Sequence, residues 1–307
     1  MQRFAIAALV LFVPSVAQAK DYYLYFLGGQ SNMVGVGSAA QLPEDQRAPV
    51  EGVMIFHGST AQPDGGPVRG EGCWDVLRPG YGKWGNFNAS KKTNKYSGRF
   101  GPELGFGRRM KELYPDRAIA ILKVAHDGTS LDPEAAGDRG CWYPDFEEKN
   151  GVNHYDHFLA ALKYAREDED IDDDGEPDRL IPAGIVWMQG ESDAANSEEV
   201  AKRYRDNLKR LMTQLRADLG DKDIPVVIGR ISNSVDAPQK PNKAMRWPHA
   251  DIVRAEQAAF VNKDGKAALV TSTDDYGYSD PWHYDTAGFY DLGVQFAEAI
   301  HRLSEER

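Results

Sequence analysis

The chain has 307 residues, 41% of them hydrophobic and 27% charged, a globular composition that excludes a fibrous or mainly disordered protein. Its 36 Lys and Arg against 47 Asp and Glu give a net charge of −11, a surface that repels phosphate backbones and anionic lipid. Nucleic acid and membrane-surface partners are therefore not expected, and a neutral substrate suits the overall charge unless a local basic pocket overturns it.

The first element in chain order is a leader. Arg3 precedes the apolar run Phe4 to Val13, and Ala17-Gln18-Ala19 places small residues at the −3 and −1 positions of a signal-peptide cleavage site. Residues 1–19 read as a signal removed before Lys20, which leaves one domain over 20–307 that is secreted or periplasmic. The alternative is an uncleaved anchor, although the apolar run is short for a bilayer. Beyond the leader, short apolar runs at Tyr22–Leu27, Val53–Phe56, Ile119–Val124, Ala183–Met188 and Val226–Ile231, with a sixth candidate at Ala268–Thr271, have the length and continuity of strands covered on both faces. Helical patterns alternate with them at Pro102–Leu113, Tyr155–Arg166, Glu198–Leu219, Ala250–Val261 and Ala287–Leu303. This alternation predicts an α/β fold with a central parallel sheet of about five strands. In the Glu198–Leu219 pattern, Val200, Tyr204, Leu208, Leu211, Leu215 and Leu219 share one face, Asn196 and Glu199 suit a capping box, and Gly220 supplies the stop. The segment from Gly58 to Arg99 shows neither period. Its aromatics (Trp74, Tyr81, Trp84, Phe87, Tyr96) read equally as a wall for stacking sugar rings or as a self-packed loop. In an exported chain, Cys73 and Cys141 are open to a single disulfide, with two separate thiols as the other reading.

Three segments carry chemistry, and each follows a predicted strand or precedes the last helix, where open α/β sheets place their ligands. Gly28-Gly29-Gln30-Ser31-Asn32-Met33 surrounds a serine with small residues at a strand-to-helix turn, which exposes the hydroxyl and aims the Ser31 N–H outward. Trp187-Met188-Gln189-Gly190-Glu191-Ser192-Asp193 places an amide and two carboxylates within one strand-end loop. Acyl transfer needs donors for a developing oxyanion, which Gln189 offers, and a carboxylate to orient a base, which Glu191 offers. Asp193 is covered by the simpler account of an acidic residue at a helix N-terminus. Ser279-Asp280-Pro281-Trp282-His283 spaces Asp280 and His283 so that the carboxylate reaches Nδ1 and leaves Nε2 outward, as a general base requires.

Gly-Gln-Ser-Asn-Met at 29–33, Trp-x-Gln-Gly-Glu-x-Asp at 187–193 and Asp-x-x-His at 280–283, in that order, resemble the SGNH hydrolase superfamily. The likeness is closer to its sialate O-acetylesterase-like (SASA) branch, which includes the acetylxylan esterases of carbohydrate esterase family 6. Gly101-Pro102-Glu103-Leu104 and Lys123 to Leu131 also look like that branch, so the resemblance runs from about Tyr22 to Leu303. It implies a three-layer α/β/α, flavodoxin-like SGNH domain acting as a serine esterase that removes acetyl groups from carbohydrate without a cofactor. On that likeness Ser31 is the nucleophile, His283 the base, and Asp280 or Glu191 the third member. The N–H groups of Ser31 and Gly128 and the amide of Gln189 form the oxyanion hole. The family often pairs glycines where this chain has Asp127-Gly128. Its expected partner is an acetylated oligo- or polysaccharide. The rival readings are an SGNH lipase or thioesterase and a non-catalytic glycan-binding protein.

Two weaker patterns remain. Asp170, Asp172, Asp174 and Asp178, with Gly175, resemble the start of a calcium loop whose terminal bidentate Glu is missing, since Ile181 stands there; a solvated acidic turn is the simpler account. His154 and His157 have the spacing of metal ligands but no matching carboxylate or Cys. His126 is placed at the pocket beside Gly128. His57, His249 and His301 have no company that argues for catalysis.

Overall fold

The computed structural model describes residues 19–58, 69–147, 151–233 and 247–305. Nearly all of the expected leader lies outside these residues. Six strands, β1 (Asp21–Gly29), β3 (Val53–His57), β8 (Ala118–Ala125), β9 (Arg179–Met188), β10 (Val226–Gly229) and β11 (Ala267–Val270), pair in parallel. A seventh, β4 (Trp74–Val76), closes one edge antiparallel to β3, giving the order β11-β10-β9-β1-β8-β3-β4. The sheet is thus wider than the roughly five strands expected: the sixth candidate, at Ala268–Thr271, is present as β11, and β4 is the seventh. The extra edge strand comes from the segment without a period, which also folds into the hairpin of β5 (Asn86–Asn88) and β6 (Thr93–Lys95). Two short pieces, β2 (Gly37–Ser38) and β7 (Arg99–Phe100), pair with one another at the base of that segment.

Apolar continuity makes the parallel strands interior. Leu24, Phe26, Leu27, Ile55, Phe56, Ile121, Leu122, Val186 and Ile228 are all buried. Helices α2 (Pro102–Leu113) and α7 (Thr286–Glu305) pack on one another over one face. Helices α3 (His154–Glu167), α5 (Glu198–Leu219) and α6 (Ala250–Asp264) form the other layer. There Tyr155 donates to Asp218, and Arg216 grips Asp264 through two hydrogen bonds of 2.7 Å. Single turns of helix at α1 (Ser31–Val34) and α4 (Glu191–Asn196) sit at the strand ends.

Two local details depart from the sequence reading, each for a physical reason. Strand β9 begins four residues before Ala183 because a bulge absorbs Pro182: Leu24 faces Pro182 and Tyr25 faces Gly184, leaving Ala183 as the extra residue. Helix α5 is capped by Ser197, whose hydroxyl accepts from the Val200 N–H at 3.2 Å, because Asn196 is itself the last residue of α4. The expected stop at Gly220 is present, in the left-handed conformation. Finally, of the two readings open for Cys73 and Cys141, the structure has them as two separate thiols. Cys141 is buried in a bridge between Ser130 and Asn153, its sulfur accepting the Tyr143 N–H. Cys73 lies beside the edge strand, in a cleft with Tyr164 and Asp168. Burial pushes both thiols up, Cys141 to about 12 and Cys73 to about 11, so neither is a ready thiolate.

Candidate active site

Strands β8 and β9 flank β1, so the chain crosses over β1 between them and a crevice opens at the carboxyl ends of these three strands. At the end of β1, Gly29 has φ 146, and a Cβ there would lie 2.0 Å from the Met188 carbonyl oxygen. Only glycine lets β1 turn this close to β9. The turn delivers Ser31 as the first residue of α1, with its N–H at the helix start and its side chain 8% exposed. Among the described residues, no partner is found for that N–H.

Beneath the turn lies a buried cation. Lys123 at the end of β8 donates to the Val34 carbonyl (2.9 Å), the Tyr81 carbonyl (3.0 Å) and Glu103 Oε2 (2.6 Å), which uses all three ammonium hydrogens. Glu103 Oε1 accepts in turn from the Gly101 N–H. Burial pulls the ammonium towards neutrality and the Glu103 carboxylate opposes it, the combination expected of a desolvated ion pair.

The loop after β8 carries Gly128 at φ 72, a conformation that favours glycine, under the Arg139 side chain. It is pinned from β9's loop. Asp193 is fully buried and accepts the N–H groups of Leu131 (3.0 Å) and Asp132 (2.8 Å) and the amide of Gln189 (2.6 Å). Burial raises the Asp193 carboxyl to about 6 although these donors oppose it. Sequence reasoning treats Asp193 as a helix-end acid. Its two backbone partners lie more than sixty residues away, so no local pattern reveals them.

Gln189 is completely buried, and its amide NH₂ is spent on Gln30 Oε1 (3.2 Å), the Thr129 carbonyl (3.1 Å) and Asp193, while its own oxygen accepts from the Tyr204 hydroxyl. Its side chain is engaged by the scaffold and does not line the Ser31 pocket. Gln30 completes the knot by accepting the N–H groups of Gly190 and Ser192 at 3.3 Å. Glu191, also buried, accepts from Asn32 Nδ2 at 2.8 Å and has its second oxygen unpaired. Burial raises its carboxyl, with Asn32 and nearby His283 resisting.

The fourth segment precedes α7. Asp280 Oδ1 accepts the N–H groups of Trp282 (2.8 Å) and His283 (2.9 Å), and Oδ2 lies 2.6 Å from His283 Nδ1. Burial works against ionising Asp280, but these hydrogen bonds outweigh it and hold the carboxyl below its ordinary value. A carboxylate only accepts, so Nδ1 carries the proton and Nε2 is the free basic nitrogen. Ser31, Gly128, Glu191, Trp247, Trp282 and His283 line one cavity of about 480 Å³. Among the described residues, Ser31 and His283 share this cavity without a hydrogen bond between them.

The other expected groups lie elsewhere. Oxygens of Asp170, Asp172 and Asp174 converge within 4.8 Å, but the Lys20 ammonium sits among them, at 2.5 Å from Asp172 and 2.6 Å from Asp174. Asp178 turns instead to the N–H groups of Lys20 and Ile171. His154 is buried, stacked between His126 and Trp142, with Nε2 on the Arg139 carbonyl; His157 lies beside it, and the two form no metal cluster among the described residues. His126 does line a cavity, the one adjoining the Ser31 pocket. His57 is buried against Tyr81, His249 caps α6 and His301 meets the Tyr114 hydroxyl. Among the aromatics of the long segment, Trp74 and Tyr81 are core, whereas Trp84 and Tyr96 are exposed.

The three-layer α/β fold thus carries a serine and a histidine–aspartate pair on the carboxyl rim of its sheet. The profile of one family, described as carbohydrate esterase, sialic acid-specific acetylesterase, matches residues 21–302. The chain belongs to this family and is a carboxylic ester hydrolase of the carbohydrate acetylesterase type. Solved structures agree in fold. A protein from Arabidopsis thaliana is 19% identical with a TM-score of 0.62, the alignment covering 93% of this chain and 99% of that one. A carbohydrate acetylesterase from Xanthomonas citri is 17% identical with a TM-score of 0.58, covering 93% of this chain and 57% of that one. NanS is 16% identical with a TM-score of 0.57, covering 95% and 100%. No curated protein matches the chain at a significant level. Among the described residues, no helix is long and apolar enough to cross a membrane.

Proposed function

We propose that the protein is an exported serine esterase that removes O-acetyl groups from a glycan of the acetylxylan or sialate type through an acetyl-enzyme on Ser31. The observation that carries this reading is the 2.6 Å Asp280–His283 contact on a histidine that shares a 480 Å³ pocket with Ser31. Asp280 fixes the tautomer in which His283 Nε2 accepts a proton. As Ser31 Oγ bonds to the acetyl carbon, its proton passes to Nε2 and the carbonyl electrons move onto oxygen. The resulting oxyanion meets the N–H groups of Ser31 and Gly128, donors of a kind worth about 3–4 kcal/mol each. Collapse expels the sugar oxygen, which takes the proton from His283. Water then attacks the acetyl-Ser31 carbonyl with its proton drawn to Nε2, acetate leaves, and Ser31 regains its hydrogen.

Asp280 suits the orienting role better than Glu191, because Glu191 spends one oxygen on Asn32 and has no bond to His283. The leader at residues 1–19 supports export. The test is acetate release from acetylated xylan and from an O-acetylated sialic acid by residues 20–307 and by its Ser31→Ala form. Release that the Ser31→Ala form lacks supports the reading, and the preferred polymer chooses the substrate. No release from these or from 4-nitrophenyl acetate overturns it and leaves a glycan-binding protein.

A further inference from the structure

The Ser31 pocket adjoins a larger cavity. Lys83, Asp127 and Arg139 line both, and the second volume, about 720 Å³, falls in the ~300–1,000 Å³ range of small-molecule sites. Its charge runs against that of the chain. On a protein of net charge −11, this cavity gathers Arg69, Lys83, Lys95 and Arg139 against two half-buried carboxylates, Glu71 and Asp127. Lys83 is bound to Asp127 at 2.8 Å. Lys123 in the floor is already matched by Glu103. Arg139 also meets Asp138 at 3.6 Å, which among the described residues leaves Arg69 and Lys95 against Glu71, an excess of one that suits a monoanion.

The wall adds a second, independent observation. Trp84 is 69% exposed and has φ 70, a left-handed conformation that costs a bulky residue of order 1–3 kcal/mol. Lys83 and Arg99 each hold a cation 5.9 Å from the centre of its ring. An exposed indole held in a strained conformation at the mouth of a cavity offers a flat apolar face, with Asn88 beside it, whose Oδ1 is held by Ser90 and Lys91 and whose NH₂ can donate to hydroxyls. A pyranose ring has that apolar face and those hydroxyls.

We infer that the larger cavity is a second sugar subsite for a carboxylate-bearing residue of the glycan whose acetylated residue sits at Ser31, with the carboxylate on Arg139, Lys95 and Arg69 and the ring on Trp84. The assignment of the Ser31 end rests on the esterase reading above. The substrate is then an acidic, O-acetylated oligosaccharide, and its charge is read in a cavity separate from the one where the ester is cut. Arg139, which overhangs Gly128 and lines both cavities, joins the two sites.

Calorimetric binding to the Ser31→Ala chain tests this without turnover. The first probe pair is a xylo-oligosaccharide with a glucuronic acid branch and the same molecule with its carboxyl reduced to an alcohol. The second is sialyllactose and its carboxyl-reduced form. The acid of at least one pair binds about tenfold tighter than its reduced twin at low salt, as one charge-assisted hydrogen bond gives, and the advantage shrinks at high salt. Which pair shows it identifies the sugar acid. Arg139→Gln with Lys95→Gln removes the preference for the acid, while Trp84→Ala weakens acid and alcohol alike by about fivefold. Equal affinity for acid and alcohol in both pairs overturns the inference. Hydrolysis of 4-nitrophenyl acetate by the unaltered chain reports on the esterase reading separately, so failure of either is distinguishable from failure of the other.

Discussion

The two halves of the candidate site are built in opposite ways. On the Ser31 side, Gln30, Gln189 and Asp193 are buried and tie the ends of β1, β8 and β9 together, and of the three only Gln30 also borders the pocket. On the His283 side, one short loop supplies both the proposed base and its proposed orienting acid, Asp280 has 38% of its side chain exposed, and Trp282 is 45% exposed. A nucleophile must be presented at a fixed angle to two N–H donors, which favours strand ends locked by buried polar bonds. A base that accepts and returns a proton needs a held tautomer, which a single carboxylate on the same loop provides.

Substitutions should separate the halves by the size and kind of their effect. Ser31→Ala is expected to lower kcat on 4-nitrophenyl acetate by about a millionfold, with an unchanged melting curve. Asp280→Asn, which upsets the tautomer but spares the scaffold, should lower kcat by about 10³–10⁴. Glu191→Gln keeps an acceptor for Asn32 and so should cost far less activity. If Glu191→Gln were the more damaging of the two, the orienting acid would be reassigned.

Asp193→Ala should act on stability instead. It strands the Leu131 and Asp132 N–H groups in the interior, at about 1–3 kcal/mol each, and urea unfolding would show a lower midpoint at unchanged m-value. The same residue gives a pH signature. Its folded-state value near 6 exceeds its ordinary 3.8, so the stability it contributes is fully present below 3.8 and is lost as pH rises towards 6, by about 3 kcal/mol in all. Comparing the unfolding free energy of the chain with that of Asp193→Asn from pH 4 to 6 isolates this slope, which the variant should lack. The smallest effect is expected from Trp282→Ala on the exposed half, a rise in KM of about fivefold on a sugar ester from lost stacking area.

Much of this was legible in the sequence because it is local. Helices Pro102–Leu113 and Glu198–Leu219 end where caps and periodicity place them. Ser31, Asp280 and His283 stand out because each motif carries its own chemistry within a few residues. What escaped was long-range. Trp74–Val76 is too short to show a period and becomes a strand only because β3 offers a free edge. Gln189 and Asp193 have the residue types of catalysis, yet each is consumed by partners on other strand ends, and residue type cannot tell a side chain that faces ligand from one that faces scaffold. Lys20, beside an acidic run 150 residues away in sequence, takes the place that the spacing of those aspartates assigns to a metal.

The Lys123 ammonium has a consequence of its own. Its three bonds run to the end of the helical turn that begins with Ser31, to Tyr81 in the wall of the long segment, and to α2. One tetrahedral cation is therefore the common rivet of the Ser31 turn, the buried base of the long segment and the outer layer, and a planar guanidinium of the same charge cannot point three donors along those directions. Long segment and Ser31 turn are geared to each other through this one cation, and Lys123→Arg, a like-for-like exchange of charge, would slip that gear.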